Sequence, residues 1–212
     1  MTGSAEGRNG GLADFVYEAL FLKRTPRSGY KFLGRGEESV AEHSYGAILV
    51  SFVLSRMRVG VDTEKMLKLA LFHDLPEART GDLNYMNKRY VKSLEDKALA
   101  DLAAALPFED ELKELRREWV LGESPEVRLV RDADQLDMIA ELSRHETEGS
   151  ESAGEWIRYA LKRLQTPEGK ALAAELLRIR HDRWWFEKKD AFWVNPADPF
   201  AAGNGEGGSD EG

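Results

Sequence analysis

The stretch DTEKMLKLALFHDLPEARTGDL, residues 62–83, decides how this chain is read. Asp62 is a helix N-cap candidate, because a short carboxylate accepts from the backbone N–H groups that a first helical turn leaves unpaired. Behind it Met66, Leu67, Leu69, Ala70, Leu71 and Phe72 recur with helical spacing, until Pro76 and Gly81 break the pattern. The run predicts a buried helix over residues 62–73 that ends on two polar side chains, His73 and Asp74. Counting back from His73 by helical offsets reaches Ala70, Leu69 and Met66, which puts this imidazole on the inward stripe.

The pattern continues on both sides. Tyr45, Ile48, Leu49, Phe52, Val53 and Met57 follow the three-and-four spacing of one helical face, and Ala47, Val50 and Leu54 fill a second, so this helix is expected to be central. Downstream, helices are expected over residues 88–105, 109–121, 125–148, 153–164 and 168–189, separated by Pro107, Gly122, the glycines at 149 and 154, and Pro167. Few runs alternate with period two, none is bounded like a hairpin, and no spacing repeats along the chain. The expectation is an all-α, single-domain helical bundle. Residues 1–11 and 195–212 are rich in Gly, Ser, Ala and acids with little to bury, and read as disordered tails flanking a domain over 12–194. The aromatic cluster Trp184, Trp185, Phe186 and Trp193 reads as packing of the last helix onto the core or a dimer mate.

Composition narrows the function. A chain of 212 residues with 42% hydrophobic residues is long enough to bury one core and short for two. A net charge of -8 argues against a surface built to neutralise the phosphates of a nucleic-acid polymer. The absence of cysteine excludes disulfides, thiolate-held metals, iron–sulfur clusters and thiol nucleophiles, so any metal must sit on histidines and carboxylates. There is no apolar run of the roughly 18 residues a membrane span needs, and the N-terminus lacks a signal layout, which leaves a soluble cytoplasmic protein as the expectation.

A neutral imidazole beside an ionised carboxylate is costly at the end of an apolar helix unless something compensates both, and a divalent cation would. His43 repeats the arrangement with Ala47, Val50 and Leu54 beneath it. One histidine on an apolar stripe is ordinarily a hydrogen-bonded core residue; two of them with an adjacent aspartate point to a site. A further carboxylate is sought in VRDADQLDMIAEL, residues 130–142. Asp134 interrupts the apolar stripe of Val127, Val130 and Met138 and is the ligand candidate. Asp132, beside Arg128 and Gln135, reads as a solvated ion-paired face, and Asp137 is intermediate, a supporting residue behind the ligands.

The order His43, His73-Asp74, Asp134 resembles the signature of the HD-domain metal-dependent phosphohydrolases, an all-α superfamily. LKRTPRSGY (22–30), ESVAEHS (38–44), LALFHDLPEARTGDL (69–83) and RDADQLD (131–137) are similar to the branch containing the bacterial 5′-deoxynucleotidases and related eukaryotic proteins, over about residues 20–142. The resemblance implies one divalent metal held by His43, His73, Asp74 and Asp134, and this donor set suits Mn, Co, Fe or Zn. It implies hydrolysis of the 5′-phosphate of a (deoxy)nucleoside monophosphate by a metal-activated water. Glu77 would be the base or water-orienting group, Asp82 would stand near the sugar or leaving oxygen, and Arg24 would contact phosphate. It also suggests a homodimer. Spacing supports Glu77 independently, four residues past His73 on any continuing helix. Thr25 departs from the tryptophan that follows the arginine in the bacterial members, which bears on sugar preference. His145 lies 11 residues past Asp134, roughly 16 Å along one helix, too far to share its metal; His145 and His181 read as packing or surface residues. Two other readings stay open: a phosphoesterase for cyclic, di- or triphosphorylated nucleotides, which would need extra cations at the site such as Lys88 and Arg89, and a metal-stabilised binding module without turnover.

Overall fold

The computed structural model describes residues 5–186. Among them the regular elements are helical, with one isolated bridge between Pro26 and Ser39. The α-helices are α1 (Ala5–Phe21), α2 (Tyr30–Leu33), α3 (Val40–Met57), α4 (Thr63–Phe72), α5 (Glu77–Thr80), α6 (Glu95–Ala103), α7 (Glu109–Leu121), α8 (Pro125–Thr147), α9 (Glu151–Arg163), α10 (Pro167–Arg178) and α11 (Arg183–Phe186). No described helix is long and apolar enough to cross a membrane.

Local chemistry sets the helix starts. Asp62 accepts from the Lys65 N–H at 3.0 Å and caps α4. Ser39 and Glu42 form a reciprocal capping box at the start of α3. Ser124 with Pro125, and Thr166 with Pro167, begin α8 and α10, where proline's missing N–H costs nothing.

The long helix α8 is the axis, packed against α3, α4, α9 and α10. Its Val127, Leu129, Val130, Ala133, Leu136 and Ile139 are fully buried, joined by Leu54 of α3, Met66 and Leu69 of α4, Ala160 of α9 and Ala173 of α10. A second cluster gathers Leu22, Val40, Leu75, Leu99, Leu102 and Leu112 under α1, and a third joins Leu33 and Leu142 to Ala153 and Ile157.

Four expectations are corrected. Residues 5–11, read as part of a tail, are the first turns of α1, whose Leu12, Phe15 and Ala19 pack on the second cluster; residues 195–212 and Trp193 lie outside the described residues. The helix expected from residue 88 begins only at Glu95: residues 84–94 hold a short 3-10 turn, Asn87–Arg89, because the Asn84 side chain accepts from the N–H groups of Met86 and Asn87, and Met86, Tyr90, Val91 and Leu94 stay exposed with no neighbour to pack a helix against. The last expected helix stops at Arg178 and resumes at Arg183. On α3 the buried face is His43, Ser44, Ala47, Ser51 and Leu54, while Tyr45, Leu49, Phe52, Val53 and Met57 are exposed. Both faces carry apolar periodicity, so spacing alone could not choose between them. Small serines mark the one that α8 approaches.

Candidate active site

His43 stands in the second turn of α3, fully buried. Its Nδ1 lies 2.7 Å from Asp137 Oδ2 of α8, and its Nε2 lies 3.0 Å from Asp134 Oδ1 and 3.7 Å from Asp74 Oδ2. His73 closes α4, its N–H still bonded to the Leu69 carbonyl, and its Nδ1 lies 2.8 Å from the Ala70 carbonyl. A carbonyl can only accept, so Nδ1 carries the proton there and Nε2 faces Asp74 Oδ2, 3.2 Å away. The two rings meet edge to face at 5.7 Å, and Trp119 lies against His73 at 5.2 Å. Three separate helical segments thus bring together the four predicted ligands.

This cluster forms one wall of a cavity of about 570 Å³ that also reaches Glu77, Asp82 and the aromatic Tyr30, Trp156 and Tyr159. Glu77, in the single turn of α5, is buried, and its Oε2 has no hydrogen-bond partner. Gly81 takes a left-handed φ of 71°, open to glycine at no steric cost, and turns the chain so that Asp82 accepts from the Ser28 N–H at 2.6 Å. Asn84 bonds the Ser28 hydroxyl, so the turns at 28 and 82–84 are stitched together along the cavity.

Arg24 is not in the cavity. It ends a 3-10 turn whose buried residue is Leu22, and it is exposed. Thr25 is buried, its carbonyl accepting from the Val40 N–H, and it does not line the cavity either. The arginine that does is Arg27, with Nη1 3.9 Å from Asp74 Oδ2 and Nε 3.7 Å from Glu38 Oε2. Tyr30 OH donates to the same Glu38 oxygen at 3.1 Å. Sequence reasoning missed Arg27, Glu38 and Tyr30, because a loop closed by the Pro26–Ser39 bridge carries no periodicity. It also missed Trp156, Tyr159 and Arg163, although their spacing along α9 is a legible helical stripe. Asp132, read as solvated, is fully buried and accepts from the N–H groups of Gln165 and Thr166 and from the Thr166 hydroxyl, at 2.7, 2.8 and 2.6 Å. Arg128, one turn earlier, is exposed, so this face is surface there and is covered only where the turn at Gln165 and Thr166 crosses Asp132. His145 is buried against Tyr30, and His181 is exposed.

The electrostatics follow from burial. Burial opposes ionisation of Asp134, but His43, then His73 and Arg27, hold it well below the usual carboxylate range. Asp74 is likewise lowered, the pull of His73 and His43 overcoming its burial. Burial and Arg27 work against a charged His43, yet Asp134 and Asp137 push it up to about 10. Glu77 moves the other way: burial first, then the charges of Asp74 and Asp82, raise it to about 9.

The group fits a divalent cation. One ligand atom each from His43, His73 and Asp134 lie within 4.8 Å of one another, and Asp74 Oδ2 reaches the Nε2 of both imidazoles. Although carboxylate oxygens stand close by, neither buried Nε2 has a hydrogen-bond partner among the described residues, so the four groups aim at a common point more than at each other.

A family profile for the HD domain matches residues 20–175. The chain is similar to the 5′-deoxynucleotidase hdd1 of Schizosaccharomyces pombe, 28% identical over 174 residues, 77% of this chain and 87% of that protein. It is 30% identical over 152 residues to the 5′-deoxynucleotidase HDDC2 of Mus musculus, 69% of this chain and 75% of that one. Among solved structures, a conserved hypothetical protein from Pyrococcus furiosus superposes with a TM-score of 0.66 at 32% identity, covering 79% of this chain and 99% of the other.

Proposed function

The chain belongs to the HD-domain family, and from that premise we propose that it is a metal-dependent phosphohydrolase that releases the 5′-phosphate of a deoxynucleoside monophosphate. One observation carries the proposal: His43, His73, Asp74 and Asp134 converge beside an unpartnered Glu77 in a cavity large enough for a small ligand. The lining sharpens it. Even with Glu77 protonated, Glu38, Asp74, Asp82, Glu95 and Asp134 outnumber Arg27, Lys88 and Arg163, so an anionic substrate would be repelled unless a bound cation offset the acids.

The two imidazoles and two carboxylates would hold that cation, with Mn, Co, Fe and Zn as candidates. When bound, it supplies Lewis-acid charge and an acidified water. The chain's own residues do the rest. Arg27, already turned toward Asp74, presents a guanidinium fork to phosphoryl oxygens and takes the role expected of Arg24. Glu77, whose carboxyl holds its proton at neutral pH in the metal-free protein, gives or takes a proton at the reacting centre. Asp82, with one oxygen committed to Ser28, keeps the other for a sugar hydroxyl or the leaving 5′-oxygen. Trp119, Trp156 and Tyr159 offer apolar surface to the sugar and base.

The proposal includes a homodimer formed across the exposed stripe of α3, where Tyr45, Leu49, Phe52 and Val53 present apolar surface on one face. Sedimentation equilibrium of the full chain is expected to give a dimer and of Leu49→Glu a monomer.

The test of the activity is phosphate release by chelator-treated protein given back Mn, Co, Fe or Zn, across 5′-deoxyribonucleotides, 5′-ribonucleotides, cyclic nucleotides and triphosphates. Metal-dependent release from 5′-monophosphates is expected. Preference for cyclic or polyphosphorylated substrates would instead favour the other phosphoesterase reading, in which Lys88 at the cavity and Arg89 in the adjoining groove meet extra phosphate charge. Metal binding without turnover of any nucleotide would leave a binding module.

A further inference from the structure

Gly46 lies one turn beyond His43 on α3, where a glycine weakens a helix interior and alanine would be the better helix former. Its neighbour across the helix interface explains its presence. A Cβ built on Gly46 would fall 1.7 Å from Oδ1 and 2.6 Å from Cγ of Asp137, far inside any contact that atoms tolerate. The Asp137 carboxylate therefore rests against bare α3 backbone, and from there its Oδ2 reaches His43 Nδ1 at 2.7 Å.

That contact determines which nitrogen of His43 faces the cluster. With Nδ1 engaged by Asp137, the ring is fixed in orientation and Nε2 points at Asp134 and Asp74. His73 is oriented the same way, but by the carbonyl of Ala70 in its own helix. His43 has no such local anchor: its support comes from α8, and α8 delivers it only because residue 46 has no side chain. A side chain there would move Asp137 away from the imidazole or push α3 from α8, and these two helices form the most extensive pairing in the fold.

We infer that Gly46 is a positioning residue for the metal site: its missing side chain is the seat in which the Asp137 carboxylate lies to orient His43. This rests on the proposed metal-dependent reading, and it concerns how tightly the ion is held. Support of this kind behind a histidine ligand is typically worth about 10- to 100-fold in metal affinity.

The experiment is a metal-affinity cycle on the full-length protein. Mn and Co affinities are measured by competition with a chromophoric chelator for wild type, Gly46→Ala, Asp137→Ala and the double variant, with circular dichroism of each metal-free protein. Gly46→Ala and Asp137→Ala are each expected to bind metal about 10- to 100-fold more weakly. The double variant is expected to match Asp137→Ala alone, because once the carboxylate is gone the alanine has nothing to displace. Should Gly46→Ala fail to fold, the double variant, freed of the clash, is expected to fold and to bind as Asp137→Ala does. Wild-type affinity in Gly46→Ala, or an equal loss in both backgrounds, or an unfolded double variant, would overturn the inference while leaving the proposed function standing. A wild type that binds neither ion would sink both.

Discussion

Replacing Glu77 by glutamine should make the metal-free protein more stable and the enzyme nearly inactive. Burial beside Asp74 and Asp82 raises this carboxyl to about 9, against an ordinary value of 4.5. Between those values the folded chain keeps a proton that the unfolded chain has released, so stability falls as pH rises from 4.5 toward 9. At pH 7 the gap is two and a half pH units, which at about 1.4 kcal/mol each bounds the cost at about 3 kcal/mol. Water entering the open cavity reduces it, and about 2 kcal/mol is expected, or about 4–8 °C in Tm for a chain of this size. Glutamine has nearly the same shape and no proton to lose. Thermal melts of chelator-treated wild type and Glu77→Gln should therefore diverge at pH 7 and nearly coincide at pH 5. Phosphate release by the variant with metal restored should drop about 10²- to 10⁴-fold, with metal affinity little changed. An offset in Tm equal at the two pH values would refute the electrostatic account, and full turnover would refute the assigned role.

Three further outcomes follow from the same geometry. In the metal-free protein His43, raised to about 10 from 6.5, adds stability that is complete below 6.5 and is lost as pH rises through 10; metal affinity should climb over that window, because binding requires the proton to leave, and His73→Ala should abolish binding throughout, as equilibrium dialysis would register. Arg27→Ala should weaken substrate binding about 10- to 100-fold, seen as a rise in KM, from the loss of a charged hydrogen-bond donor, while Arg24→Ala should change KM little; the reverse ranking would return the phosphate role to Arg24. Asp132→Ala should cost about 2–4 kcal/mol in denaturant unfolding, since it strips two backbone N–H groups and a buried hydroxyl of their acceptor; a loss below about 0.5 kcal/mol would mean that solvent replaces it.

What could be read in advance was whatever periodicity and local capping encode. The cap at Asp62, the inward stripe ending in His73 and the interruption of an apolar stripe by Asp134 are properties of single helices, and the fold has Asp62 capping α4, His73 turned inward and Asp134 beside His43. The failures share a different origin. Preferring Arg27 to Arg24 requires knowing how the loop at 25–39 folds back on itself, which depends on the pairing of Pro26 with Ser39 and of Arg27 with Glu38. Placing Asp132 in solvent required ignorance of the turn at 165–166 that wraps around it. The exposed face of α3 carries the same apolar spacing as the buried one, so the pattern alone does not say which of the two turns inward.

The longest helix holds three aspartates that answer to three different partners: Asp132 to the turn before α10, Asp134 to the histidine pair, Asp137 to the back of His43 and the bare backbone at Gly46. Leucines along a helix tolerate sliding, because one greasy contact substitutes for another. These three do not, since rotation by a single residue, about 100° around the axis, would take every one of them from its partner at once. The acids therefore act as a register key, and a chain that docks this helix correctly has aligned Asp134 with His43 by the same movement that seals its interior.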